Sequence, residues 1–192
     1  IERTWEQMHL AYQYGVDRVW IVNVGDIKPM EFPTEFFLDY AWNPDNWDAS
    51  NLGDYYLQWA KENFDGQYTE DIAHILKLYT KYNARRKPEL LDASTYSLTH
   101  YNEAEKVVSD YNELAKKAQE INNQLKPEYK DAYYQLILYP VLAGANLNEL
   151  YLATAKNHLY ANQGRASANE YAKKVKELFE EDAALTDYYH TK

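Results

Sequence analysis

Ten residues, Tyr101, Ala104, Val107, Val108, Tyr111, Leu114, Ala115, Ala118, Ile121 and Leu125, recur every three or four positions. That spacing lays one apolar stripe along a helix over residues 100–125 and leaves its other faces polar. A stripe of this kind has to be buried against other helices, and the chain supplies them. Amphipathic stretches are expected at 54–64, 70–84, 145–162 and 166–181, with a helix opened by Pro127 at its first turn and running to about Tyr139. Pro140 is expected to kink or end that helix, because proline offers no N–H and crowds the preceding turn. Short connections favour antiparallel neighbours, so residues 49–192 read as an up-and-down bundle of about five helices.

The first part of the chain is different. Residues 2–14 are amphipathic and stop at Gly15, a natural helix end. Arg18-Val19-Trp20-Ile21-Val22-Asn23-Val24 follows, a short β-branched run that is apolar on both sides. Such runs form strands buried on both faces, as in parallel α/β sheets, and a single strand cannot satisfy its own backbone groups. Residues 1–48 therefore read as the helix, strand and loop of a βαβ repeat, with the partner strands elsewhere. Thr34 is expected to cap a helix reaching Tyr40 or Ala41, and residues 42–53 read as a turn-rich connection. The fold class is thus mainly α, a bundle preceded by a helix–strand–loop segment, which the resemblance given below implies is the remnant of a TIM-like barrel.

Composition narrows the functions. The net charge is −10 and the pI about 5.0, while the one dense basic run is Arg85-Arg86-Lys87, so a phosphate-neutralising face is not expected. With no cysteine, disulfides, thiolate metal sites and a cysteine nucleophile are excluded. No apolar run of membrane-spanning length is apparent, and no signal peptide, so neither membrane nor nucleic acid is an expected partner. The 20 tyrosines combine an apolar ring with a polar tip, which suits half-buried helix contacts and, alternatively, sugar faces.

Most reactive residues have a simple structural reading. His9, His74, His100, His158 and His190 fall at no metal-binding spacing, so no metal or cofactor is expected. Glu180-Glu181-Asp182 reads as a solvated helix face. Arg85-Arg86-Lys87-Pro88-Glu89 suits the C-terminal end of helix 70–84, where cations complement the dipole, better than an anion site. The segment Asn23 to Pro33 stands apart. It sets Asn23, Asp26, Lys28 and Glu31 within nine residues directly after the strand. Active sites of barrels are built there, at the C-terminal ends of strands. Asn23 is in phase with Val19 and Ile21, Gly25 permits positive φ, and Pro29 and Pro33 stiffen the loop. The alternative is that Asp26–Lys28 or Lys28–Glu31 ion pairs only pin it.

At this segment the chain resembles glycoside hydrolase family 115, the xylan α-1,2-glucuronidases. The resemblance rests on Val19 through Pro33, Phe36-Phe37-Leu38-Asp39, Ala41-Trp42, Arg86-Lys87-Pro88-Glu89-Leu90, Tyr134-Gln135-Leu136, Tyr139-Pro140-Val141, Asn146 through Tyr151 and Gln163-Gly164-Arg165. It implies a piece of a multidomain enzyme, with residues 1–48 the last helix, strand and loop of a TIM-like (β/α) barrel and 49–192 the helical domain. The parent would remove (4-O-methyl-)glucuronic acid branches from glucuronoxylan with inversion, as a homodimer, secreted or periplasmic in a bacterium. Asn23 matches a substrate-site asparagine of the last strand; Asp26, Lys28 and Glu31 follow by proximity. The acid and base would lie on earlier strands, so the piece alone is expected to be inactive. A packing, oligomerisation or carbohydrate-binding role for the helical part, the last through Trp42, Trp47 and Trp59, stays open.

Overall fold

A computed structural model describes residues 1–191. The chain divides into two compact units, Ile1–His74 and Ile75–Lys192. The division falls inside a helix, 26 residues beyond the 1–48 segment assigned to a barrel, and concerns compactness rather than that assignment.

The first unit holds α1 (Glu2–Gln13), α2 (Glu31–Trp42) and α3 (Leu52–Asn63), each 12 residues long, with a short 3-10 turn at Pro44–Asn46. Its core is aromatic. Phe36 and Tyr40 are fully buried, and Phe32, Phe37, Tyr55, Tyr56, Trp59 and Phe64 are nearly so. Each such ring contributes about 1.5–3 kcal/mol relative to exposure. Edge-to-face pairs such as Phe36–Tyr55, with centroids 4.9 Å apart at 78°, add the orientation that aromatic quadrupoles favour.

The second unit is a helical bundle, as the periodicity requires. After α4 (Thr69–Asn83) and a 3-10 turn at Pro88–Leu90 come α5 (Glu103–Gln124), α6 (Pro127–Tyr133), α7 (Tyr139–Asn162) and α8 (Ala168–His190). The α5 stripe is buried at Ala104, Val107, Val108, Tyr111, Leu114, Ala115, Ala118 and Ile121. Within the bundle α7 packs on both α5 and α8. Gly144 lets α7 approach α5 closely: a Cβ there would lie 3.1 Å from Tyr111 Cε1. Asn146, buried in α7, ties α8 down by donating to the Leu178 carbonyl at 3.0 Å.

Three expectations are corrected. First, residues 18–24 form no strand, and no strand forms anywhere among the described residues. A strand is defined by its ladder, and nothing pairs with this segment. Second, α2 begins at Glu31, not after Thr34; the Thr34 N–H already donates to the Met30 carbonyl at 3.0 Å. Pro33 sits in the first turn, where the missing N–H has no partner to lose. Third, Pro140 neither ends nor splits the helix. A five-residue π turn, Tyr134–Leu138, precedes it and joins α6 to α7 into one element, Pro127–Asn162. A π turn widens the helix where a ring would otherwise crowd a carbonyl. By length and composition this 36-residue element could cross a membrane, but half of its most apolar window is buried inside the protein, as in a core helix.

Candidate functional site

The segment between α1 and α2 is held by one ring. Trp20 donates from Nε1 to the Val16 carbonyl at 2.6 Å and packs on Tyr40, centroids 5.8 Å apart at 28°, with Tyr12 edge-on. The neighbours on either side of it turn outward: Val19 is 70% exposed and Ile21 87%. Asn23 is exposed as well, as are Arg18 and Val22, so the segment shows no strand-like alternation.

Asp26 and Lys28 are exposed and form no ion pair among the described residues, so Asp26–Lys28 and Lys28–Glu31 pairs do not pin this loop. The backbone supplies the restraint. Gly25 takes φ +67°, and the Met30 N–H donates to the Ile27 carbonyl at 2.6 Å. Glu31 is half-buried at the first position of α2, where a carboxylate complements the helix dipole. Of the four, Asn23, Asp26 and Lys28 are exposed in the segment before α2 and Glu31 opens the helix. A cleft in this unit, about 420 Å³, is lined by Tyr12, Asp17, Arg18, Trp20, Ala41 and Pro44, and by none of the four.

Other carboxylates have roles that sequence reasoning missed. Asp39 accepts from the Tyr55 hydroxyl at 2.8 Å, Glu35 from Trp59 Nε1 at 2.8 Å, and Glu2 from the Tyr56 hydroxyl at 3.0 Å. Each anchors the polar tip of a buried ring. Burial, then the hydrogen bond to Asp39, raises the Tyr55 pKa far above the ordinary tyrosine range. The only available signal was the abundance of aromatic residues interleaved with Glu and Asp, and it does not give partners.

The tryptophans do not share an exposed face. Trp59 is 2% exposed, Trp47 packs edge-on to Tyr55 at 5.0 Å, and Trp42 is 91% exposed. That removes the aromatic platform on which a carbohydrate-binding role for these rings rested.

In the second unit the basic run is engaged in contacts within the protein. Arg85 pairs with Asp110 at 2.5 Å and lies 4.3 Å over the Tyr82 ring, and Arg86 Nε donates to the Leu90 carbonyl at 3.0 Å. Among the described residues no group of three or more His, Asp or Glu is placed to hold a metal ion.

Comparison with known proteins gives this geometry its setting. Residues 1–90 match the family model of glycosyl hydrolase family 115. A search of curated proteins found no match. Among solved structures, a family GH115 4-O-methyl-α-glucuronidase with specificity for decorated arabinogalactans superimposes with a TM-score of 0.80 at 25% identity, over 97% of this chain. The chain spans a quarter of that protein's length. Residues 1–90 thus carry the sequence likeness to glycosyl hydrolase family 115, and nearly the whole chain shares the fold of one of its members.

Proposed function

We propose that this chain is part of an inverting α-glucuronidase that removes (4-O-methyl-)glucuronic acid branches from glucuronoxylan. The observation carrying the reading is the superposition on a 4-O-methyl-α-glucuronidase over nearly the whole chain. The sugar cleaved is the better supported half of it. The backbone is the weaker half, since the matched protein's stated specificity is for decorated arabinogalactans.

In this reading residues 1–48 complete a (β/α) barrel in the parent and 49–192 form the helical domain. The outward Val19 and Ile21 suit that setting, because exposed apolar side chains in sequence mark a surface meant for cover. Asn23 would hydrogen-bond the uronic acid or the attacking water. Lys28 would offset the uronate charge, with Asp26 and Glu31 bordering the same substrate. Inversion needs an acid and a base about 6.5–9.5 Å apart, with water between them. One barrel segment cannot supply both, so the 192-residue chain alone is inactive. The parent would be a secreted or periplasmic homodimer.

The test is an anomer-resolved assay of the full-length parent on glucuronoxylan and on uronate-decorated arabinogalactan. Initial release of β-configured glucuronic acid from glucuronoxylan is expected. First-formed α product would overturn inversion, release from arabinogalactan alone would overturn the xylan assignment, and no uronic acid from either would overturn the activity.

A further inference from the structure

The bundle carries a groove that the reading above does not use. It lies where the outer face of α5, the π turn with the start of α7, and the last turns of α8 converge, and it encloses about 330 Å³. That is the lower end of the range for small-molecule sites. Leu138, Leu142 and Leu185 give it an apolar floor. Tyr188, 49% exposed and set edge-on to Tyr134 at 5.0 Å, offers ring surface at one side. Asn122 and Glu181 stand at the rim, and among the described residues neither side chain has a hydrogen-bond or ion-pair partner. The π turn contributes directly, since Tyr134 and Leu138 belong to it.

An apolar floor, an aromatic wall, and an amide and a carboxylate left to bond are what a pyranose ring asks for. Its C–H face packs on apolar and aromatic surface while its hydroxyls donate to a carboxylate and exchange bonds with an amide. The charge decides which sugar. Glu181 lies within Glu180-Glu181-Asp182 on a chain of net charge −10, so a uronate would meet like charge. We propose that this groove is a secondary sugar site that takes a neutral pyranose unit of the polysaccharide main chain, not its acidic branch. The proposal rests on the reading of the parent as an enzyme acting on decorated polysaccharide.

The experiment is a titration of the 192-residue chain with neutral xylotetraose and with free glucuronate, followed through the Asn122 side-chain amide signals in a nitrogen–proton correlation spectrum. Xylotetraose should shift Asn122 and residues 181–188; glucuronate should not. Asn122→Ala and Tyr188→Ala should each weaken xylotetraose binding about tenfold, one hydrogen bond or ring contact of ordinary strength. Glu181→Gln, at an exposed position where folding is not at stake, should reduce the discrimination against glucuronate. Absence of shifts at saturating xylotetraose, equal response to glucuronate, or binding unchanged in Asn122→Ala would overturn the site. Loss of the groove while the parent still releases glucuronic acid sinks the groove alone. Groove binding in a parent that releases none sinks the enzymatic reading instead.

Discussion

The two units bury their apolar residues in different ways. The second uses helices of 22 to 24 residues whose stripes of Val, Leu, Ile and Ala interlock. Its exposed large apolar side chains are scattered: Leu90, Tyr101, Phe179 and Tyr188. The first is smaller, built from 12-residue helices around stacked rings, and it leaves Leu10, Tyr14, Val16, Val19, Ile21, Ile27, Leu38 and Trp42 exposed within one stretch of chain. The difference teaches that the bundle leaves few large apolar side chains outside its core, whereas the first unit leaves many along residues 10–42. Scattered exposed hydrophobes need no explanation; a concentration in one segment does.

The largest expected effect tests what the units share. Burial raises the pKa of Tyr55 in the first unit and of Tyr79 and Tyr111 in the second. A raised tyrosine pKa means the fold prefers the neutral hydroxyl. Unfolded chains ionise first, so this stability is intact below the ordinary value of about 10 and is lost as pH rises above it. Absorbance at tyrosinate wavelengths should show a group of tyrosines that ionise only as helical circular dichroism collapses. Smooth ionisation of all tyrosines near pH 10 with the helices intact would break the account of both cores.

Next comes a ring deletion. Phe36→Ala should cost about 3–5 kcal/mol by urea unfolding, and Ile137→Ala in the bundle about 2–5 kcal/mol. A cost under about 1 kcal/mol for Phe36→Ala would mean that the first unit is not held by its stacked rings.

A subtler contrast lies in the hydroxyl partners. Tyr133 is fully buried and donates to the Ala118 carbonyl at 3.0 Å inside the bundle, while Tyr55 donates to Asp39, whose residue is exposed. Tyr133→Phe should cost about 1–3 kcal/mol, but Tyr55→Phe only about 0.5–1.5, because water can take the carboxylate's open site. The reverse order in denaturant melts would contradict the assigned burial. Smallest of all, Ile21→Ser should leave the stability of the 192-residue chain within about 0.5 kcal/mol while lowering its binding of a hydrophobic dye.

How much of this was legible in the sequence follows from the same contrast. The bundle helices declare themselves by period, since each interface repeats every three or four residues. The end of α8 did not: the amphipathic stretch was expected over 166–181, yet the helix runs on to His190. The π turn before Pro140 was also hidden, because the proline announces a disturbance without saying how the backbone absorbs it. In the first unit the run 18–24 has strand composition, but composition cannot provide a ladder partner. The loop residues Asn23, Asp26, Lys28 and Glu31 are close in sequence, but a role at a site needs groups from other parts of a protein that local pattern cannot supply. The bonds of Glu2, Glu35 and Asp39 to rings 16 to 54 residues away were beyond any local pattern.

The central claim is that the loop after Trp20 belongs to the uronate site of an α-glucuronidase. The most direct measurement is kcat/KM of the full-length parent on glucuronoxylan with Asn23→Ala in place. Loss of one hydrogen bond to a charged or reacting group, about 1.5–3 kcal/mol, predicts a fall of roughly ten- to a hundredfold with the fold unchanged. An unchanged kcat/KM would contradict the account.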